Sequence, residues 1–485
     1  MLLDNYTLAT IHRYAELQEI ELSDRHMEIL SFTFNYYQRN TVGPALYILK
    51  KKLQLAAPEL NALFPHGLSS IYRWLNIPIH SVETGCADLA DIQVSALRQV
   101  YLDNNATTPI RKEVSDLLCS YYSGDMGYAN PSSPTDMGKE AYSLIIEAKK
   151  AFADLWSVDP EELYFTGSCT EANNTFFQGL GLKNLENKGH FIVSAIEHPS
   201  ILKTVRFLET LGFTSTLLPV DSDGIVQIAT LDTCIQGCLD NGVQVLATSI
   251  MLVNNEIGTI QPVEDAALIC SRYNIPLHSD ITQALGKLPI HPKEIGVTSL
   301  TCSAHKIYGP KGIGLLYLDA NIPVPPLIHG GGQEFGMRGG TENPGHMQAF
   351  ALAAQLVEKE RDVENKRIGE LQKYLWNGLL KIDPDIRLVG SMEKRVTTNL
   401  SVGFPHINSR SLLLGLNKMG VYASAGSACS SGTLSTSSVI EAIGLDTKKY
   451  AVIRLSMGRQ TVKKDLDYLL KYLPNLLDQL KNKKR

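Results

Sequence analysis

The segment Ser303-Ala304-His305-Lys306-Ile307-Tyr308-Gly309-Pro310-Lys311-Gly312 lies between two short apolar runs, Val297–Thr301 and Gly314–Leu318. Runs of that length bounded by turn residues read as buried strands, so this part of the chain is strand, loop, strand. A lysine held between buried strands is desolvated, which lowers its pKa and frees the amine for a Schiff base. The neighbouring glycines let backbone approach a bound group closely. Taken alone, Ser-x-His-Lys fits an ordinary surface lysine in a Gly/Pro turn equally well. A second stretch, Leu277-His278-Ser279-Asp280-Ile281-Thr282-Gln283-Ala284-Leu285-Gly286, ends an apolar run in an acid, then a glutamine and a tight glycine. Such an acid, with a lysine shortly downstream, suits pyridoxal phosphate. That cofactor needs an amine for its aldehyde and an acid to keep its pyridine nitrogen protonated as an electron sink.

Together, Asp280-x-x-Gln283 and Ser303-x-His305-Lys306 resemble the class V, fold-type-I pyridoxal phosphate enzymes, specifically cysteine desulfurases of the NifS/IscS type. The resemblance runs from about Tyr101 to about Leu470 and implies an α/β fold. A large domain (about 116–354) would hold a mixed, mostly parallel sheet, and a smaller α+β domain would join 101–115 to 355–485. Further motifs carry it in order. Tyr101-Leu102-Asp103-Asn104-Asn105-Ala106-Thr107-Thr108-Pro109 resembles the opening strand and turn, on the substrate side. Asn130-Pro131-Ser132-Ser133 follows, with Pro134-Thr135-Asp136 where relatives usually carry a histidine. Strand Leu163–Thr166 leads through Gly167-Ser168-Cys169-Thr170 to a helix expected near Glu171, whose N-terminal amides and the Thr170 hydroxyl suit a phosphate. The family usually reads Ser-Gly-Ala-Thr-Glu there, so Cys169 is expected to line the site rather than to catalyse.

The resemblance assigns His198 to stacking on the pyridine ring and proton transfer, and Asn255 to the phenolic oxygen, shared with Gln283. It gives Asp280 the ring nitrogen, Ser303 and His305 the phosphate, and Lys306 the covalent link. Thr341, in Met337-Arg338-Gly339-Gly340-Thr341-Glu342-Asn343, would reach the phosphate of a partner subunit, which implies a homodimer. His329 with three following glycines also fits an esterase oxyanion loop, but no Gly-x-Ser-x-Gly elbow occurs in the chain, which excludes that hydrolase. A long helix from about Gly345 to Leu380 leads to Ala423-Ser424-Ala425-Gly426-Ser427-Ala428-Cys429-Ser430-Ser431-Gly432. Free cysteines are usually buried, yet the small neighbours of Cys429 suit an exposed thiol, and the stretch resembles the desulfurase nucleophile loop. Arg454 offers a bidentate grip on a substrate carboxylate that lysine provides poorly.

At 485 residues the chain exceeds one ordinary core, and its 44% hydrophobic and 20% charged content is that of a globular protein. A net charge of −5 gives no basic field for nucleic acid. The eight cysteines form no disulfide framework, and Cys234 and Cys238 have no second pair to complete a zinc site. No signal peptide or bilayer-spanning run is visible, so a reducing cytoplasm is expected.

The first hundred residues read as a separate helical unit. Ser23 can cap a helix with Met27, Leu30, Phe34 and Tyr37 at helical spacing. Asn40–Pro44 breaks it, a second helix runs from Ala45 to Leu53, and a third piece carries Leu60, Leu63, Ile71, Trp74 and Leu75. A helix-turn-helix should be basic, but residues 1–99 hold eight Lys/Arg against ten Asp/Glu. Leu22-Ser23-Asp24-Arg25-His26, Tyr36-Tyr37, Leu63-Phe64-Pro65-His66-Gly67, Ile77-Pro78 and Thr84-Gly85-Cys86 instead resemble the DsrC/TusE sulfur carriers over residues 1–86. Cys86 matches their terminal, persulfide-carrying cysteine, and the aperiodic stretch before it suits a mobile thiol. Residues 87–100 read as a linker. The expected activity is therefore release of sulfur from L-cysteine as a Cys429 persulfide, passed to Cys86 and on to iron–sulfur scaffold or sulfur-relay proteins. A selenocysteine lyase, a class V aminotransferase and a cofactor-binding regulator with a helical binding module remain alternatives at this point.

Overall fold

The computed structural model describes the chain except residues 1–4, 18–19, 41–42, 45, 56, 65–67, 76–97, 125–126, 426–436 and 483–485. The described residues divide into an N-terminal unit and a second unit that begins before Arg98.

The N-terminal unit comprises α1 (Asn5–Leu17), α2 (Asp24–Asn40), α3 (Leu46–Leu53), α4 (Ala57–Leu63) and α5 (Leu68–Trp74). Its core joins Ile11, Ile29, Leu30, Leu49, Leu60, Phe64, Ile71 and Trp74. On α2 the buried stripe is His26, Ile29, Leu30 and Thr33, so Met27, Phe34 and Tyr37 lie at its margin rather than at its centre. Ser23 does cap this helix: its carbonyl accepts from Met27 N at 3.2 Å. Near the break after α2, an added Cβ at Gly43 would lie 2.5 Å from the Tyr72 ring. That glycine therefore lets the ring lie against the backbone, where the Tyr72 hydroxyl donates to Pro44 O.

The second unit opens with β1 (Val100–Tyr101), which pairs in parallel with β11 (Val421–Tyr422). Val100 thus belongs to a strand and not to a linker. Then follow α6 (Lys112–Tyr122), α7 (Asp136–Trp156), β2 (Leu163–Thr166), α8 (Cys169–Lys183), β3 (His190–Ser194), α9 (Pro199–Thr210) and β4 (Thr214–Leu218). Next come α10 (Ile228–Asp240), β5 (Val245–Ser249), α11 (Val263–Arg272), β6 (Leu277–Asp280), α12 (Pro292–Ile295), β7 (Ser299–Ser303) and β8 (Gly314–Leu318). Seven of these strands form one sheet in the order β2-β8-β7-β6-β5-β3-β4. Every pairing is parallel except those of β8, which runs antiparallel to β2 and β7.

Strands β3, β5, β6, β7 and β8 are buried at every position, as expected of strands covered by helices on both faces. The period-two alternation sorts them between two cores. Leu315, Tyr317 and Ile192 join Phe152 of α7 and Phe350, whereas Leu316, Leu318, Phe191 and Val193 join Phe176 of α8 and Leu208 of α9. Cys234 and Cys238 of α10 are partly buried against the first core.

Helix α13 (Pro344–Ile382) runs unbroken for 39 residues, with Pro only at its first turn, and Asn343 caps it. It packs on α6 and α7 and, further along, on α16 (Lys463–Asn482). The remaining elements are β9 (Arg387–Leu388), β10 (Asn399–Pro405), α14 (Ser409–Lys418), α15 (Ser438–Ala442) and β12 (Tyr450–Ser456), with β12-β10-β9 forming an antiparallel sheet. The expected divisions at 115/116 and 354/355 fall inside α6 and α13, so continuous helices cross them. No helix among the described residues is long and apolar enough to cross a membrane.

Candidate active site

Parallel strands bring their carboxyl ends to one edge, where ligands bind in open α/β sheets. Asp280 ends β6 and Ser303 ends β7, β3 runs on to His198, and β2 runs on to Gly167 and α8. The topology thus collects residues from four separate parts of the sequence.

After β7 the chain makes one 3₁₀ turn, Ala304–Lys306. Tyr308 follows with a φ of 67°, and an added Cβ at Gly309 would lie 2.9 Å from Ala304 O, so the turn closes only with glycine there. Lys306 Nζ donates to Asn105 O at 2.6 Å and Ala106 O at 2.7 Å. The segment after β1 is held in place because Ser456 Oγ accepts from Asn105 N and His305 O accepts from Thr108 N. Gln283 donates through Nε2 to the same Asn105 O at 2.9 Å, while its Oε1 accepts from Lys287 Nζ at 3.1 Å. Burial and the nearby Lys306 and Arg454 cations pull the Lys287 amine down to about 7. Lys287 and Lys306 share a cavity of about 50 Å³ with Asn105, Glu360 and Glu364.

Asp280 is 5% exposed. Its Oδ1 accepts from Thr282 N at 2.9 Å, and its Oδ2 accepts from Asn173 Nδ2 at 3.2 Å and from Cys169 Sγ at 3.5 Å. Burial and the adjacent Asp280 push the Cys169 thiol well above its usual range, so it is a neutral donor and not a nucleophile. His198 caps α9, its Nδ1 accepting from Ser200 N at 3.1 Å with Ser200 Oγ at 2.8 Å. Burial lowers its pKa. His278, fully buried and stacked on Phe176, is lowered to about 4, mainly by burial.

Helix α8 starts at Cys169, two residues before the expected position, because the Ser168 hydroxyl accepts from Glu171 N and caps it. Glu171 also accepts from Gly167 N and pairs with Arg338 at 2.9 Å, tying the β2–α8 turn to the segment that carries Thr341. Thr170 is exposed in the first turn of α8. Ser303 and His305, also expected at the phosphate, each meet a protein group as well. Ser303 Oγ donates to Ile313 O at 3.3 Å, and His305 Nδ1 lies 3.1 Å from Thr107 Oγ1. Burial, with the Lys306 and Lys311 cations, lowers His305 to about 4, so its ring is neutral. Thr341 lines a separate cavity of about 160 Å³ with Gly167, Arg338 and Glu342.

Arg454 lies on β12, 2% exposed, with Nη2 donating to Asp103 Oδ1 at 2.7 Å and Nη1 to Asn255 O at 2.9 Å. Among the described residues its buried Nε has no partner. Asn255 thus meets Arg454 through its carbonyl. Cys429 and Cys86 lie outside the described residues. The chain on either side of residues 426–436 is anchored near Arg454: Ser424 and Arg454 exchange backbone hydrogen bonds, and Ser437 Oγ donates to Glu256 Oε2 at 2.6 Å.

The sequence profile of the family described as Aminotransferase class-V matches residues 100–469. This chain belongs to that family. Within it, the chain is 39% identical over 386 residues to the cysteine desulfurase IscS of Methanosarcina thermophila, a span covering 79% of this chain and 93% of that one. It is 37% identical over 425 residues to the mitochondrial cysteine desulfurase of Arabidopsis thaliana, covering 86% and 91%. A solved NifS-like protein superposes with a TM-score of 0.73 at 33% identity, over 79% of this chain and all of the other. The N-terminal unit lies outside the family match.

The family's cofactor is pyridoxal 5′-phosphate, and the donor set here fits it. Lys306 supplies an amine after β7, buried Asp280 an acid at the end of the adjacent β6, His198 a neutral ring, and the fifteen-residue α8 the positive end of a helix dipole for phosphate. Two residues in this site of the class-V member escape the motifs read from sequence. Asn173 is fully buried behind Asp280, and Lys287 holds Gln283. Asn173 sits three residues after the expected phosphate loop, on the buried face of its helix, but only the fold shows what it meets.

Proposed function

We propose that this class-V family member is a cysteine desulfurase, taking sulfur from L-cysteine and releasing L-alanine. The observation that carries this is the meeting of Lys306, Asp280 and His198 at the strand ends, with buried Arg454 and its free Nε on β12. Lys306 and Asp280 would hold pyridoxal phosphate, with Thr170 and the α8 amides at its phosphate and Gln283 and Asn255 at its ring oxygen. When bound, the cofactor supplies an electron sink next to the substrate's Cα. Arg454 orients the substrate by its carboxylate, exchanging part of its pairing with Asp103. Lys306 and neutral His198 are placed to hold or move the Cα proton. The Cys429 thiolate attacks the substrate sulfur. The carbon–sulfur bond breaks with its electrons left on carbon, carbon takes up a proton, and Cys429 keeps the sulfur as a persulfide.

The finer reading extends this. Sulfur passes from Cys429 to Cys86 of a DsrC/TusE-like carrier unit and then to an acceptor protein. Thiol exchange conserves the persulfide, and tethering on one chain raises the effective concentration of Cys86. The enzyme works as a homodimer in which Thr341 serves the partner's phosphate site, and it works in the cytoplasm. Support comes from the helical character of the N-terminal unit and from the order of its motifs.

The test is intact mass spectrometry with peptide mapping after brief incubation with L-cysteine, without reductant. Sulfur added to both Cys429 and Cys86, with Cys86 empty in Cys429→Ser, is the expected outcome. Sulfur on Cys429 alone removes the relay and keeps the desulfurase. Sulfur on neither cysteine overturns both.

A further inference from the structure

Asn173, in α8, is fully buried, and all four of its side-chain hydrogen-bonding positions are used. Its Oδ1 accepts from Thr301 Oγ1 at 2.5 Å and lies 3.1 Å from His278 Nε2. The amide orientation is fixed because the Asp280 carboxylate can only accept, so Oδ1 faces neutral His278, whose Nε2 therefore carries the proton and donates while its Nδ1 faces Ser299 Oγ at 3.0 Å. The side towards Asp280 is left to Nδ2. That nitrogen donates to Asp280 Oδ2 at 3.2 Å and to Ser200 Oγ at 2.8 Å. With its oxygen occupied as an acceptor, Ser200 directs its own proton to His198 Nδ1, 2.8 Å away, where Ser200 N also donates. His198 is left with Nδ1 bare and its proton on Nε2.

We propose that Asn173 is the positioning residue that couples the two groups assigned to the cofactor ring, fixing the carboxylate of Asp280 and, through the Ser200 hydroxyl, the orientation of His198, whose tautomer the Ser200 amide sets. Its partners Thr301 and His278, on neighbouring strands β7 and β6, act as the anchor that stops the amide from flipping. This rests on the roles given to Asp280 and His198 under Proposed function. The physical logic is that of outer-shell hydrogen bonds, which orient the groups that touch a cofactor without touching it themselves.

Asn173→Asp is the discriminating variant, because it keeps the shape and the oxygen that accepts from Thr301 and His278 and replaces only the donor nitrogen. The measurements are the pyridoxal phosphate dissociation constant, the pH titration of the loaded enzyme's visible absorbance, and the unfolding midpoint of the apoprotein. Asn173→Asp should weaken cofactor binding by on the order of 10- to 100-fold and displace the absorbance titration towards that of Asp280→Asn. A wild-type titration and affinity in Asn173→Asp, or a change in the unfolding midpoint alone, overturns the proposal. If Asp280→Asn is itself indistinguishable from wild type, the reading of Asp280 fails beneath it. Ser200→Ala tests the second arm independently, including the case in which Asn173 variants do not fold. It should lower kcat about 10-fold with KM and the absorbance titration unchanged, and an unchanged kcat removes the His198 coupling.

Discussion

The two units each set a histidine against a serine, and they do so to different ends. In the N-terminal unit, His26 Nδ1 accepts from Ser23 N at 3.1 Å and its Nε2 reaches Leu63 O at 2.9 Å, with the ring edge-on to Phe64. Arg25 beside it donates to Leu53 O and pairs with Glu59. These contacts end on backbone or on a scaffold ion pair, so Ser-Asp-Arg-His staples α2 to α4. In the second unit, His198 also faces a serine, but its hydrogen bonds run on through Ser200 and Asn173 to an acid. A histidine whose bonds close on carbonyls is part of the core. One whose bonds continue to another titratable side chain is part of a site. The residue types are the same, and their connections separate the roles.

Four experiments sharpen or break this contrast. Lys306→Ala should show the largest effect, lowering alanine formation from L-cysteine by about 10⁴-fold, because Lys287, the other amine in that cavity, is held by Gln283. Retention of even a tenth of the wild-type rate would move the site elsewhere. Phe64→Ala, in the N-terminal core, should cost that unit about 3–5 kcal/mol and leave kcat for alanine formation unchanged. A parallel loss of kcat would show that the two units are not functionally separable as described.

The third concerns pH. His278 is neutral when folded, with its pKa near 4, whereas the unfolded chain takes up its proton below the ordinary value of 6.5. The unfolded state thus binds more protons between those limits. The associated stability is complete above about pH 6.5 and is lost as pH falls towards 4, by on the order of 3 kcal/mol. Urea midpoints of the apoprotein should follow that slope, and His278→Leu should flatten it; equal slopes would place the acid sensitivity in other groups. Cys169→Ala should do least, keeping kcat/KM within about threefold, as expected for a neutral lining thiol. A loss approaching that of Lys306→Ala would give Cys169 a role in the chemistry.

Much of this was legible in the primary structure because the chemistry sits at strand termini, and strand termini carry turn residues that punctuate the sequence. Asp280 before Gln283, and Lys306 ahead of Gly309 and Gly312, could be read because each follows an apolar run. The start of α8 was misplaced by two residues because three hydroxyl- or thiol-bearing residues stand in a row, and only the observed bond to Glu171 N selects Ser168 as the cap. The motif around Lys306 gives the residue types Ser303 and His305, and only the fold adds that they meet Ile313 O and Thr107 Oγ1. Asn173 and Lys287 left no signal, because a buried amide and a buried amine on helical or turn segments resemble any surface polar residue until burial is known.

The sequence by itself determined the alternation of buried strands and helices, the acid and lysine at their ends, and the helical character of the first hundred residues. Those follow from local period and turn chemistry, which need only near neighbours. The tertiary structure alone decided the connections. The order β2-β8-β7-β6-β5-β3-β4 sets residues more than a hundred positions apart side by side, so that Asn173 meets Asp280, and the segment after β1, held by Ser456, brings Asn105 to Lys306. Such contacts depend on which strands become neighbours and on which face each side chain takes, and both are fixed only when the two cores close on the sheet.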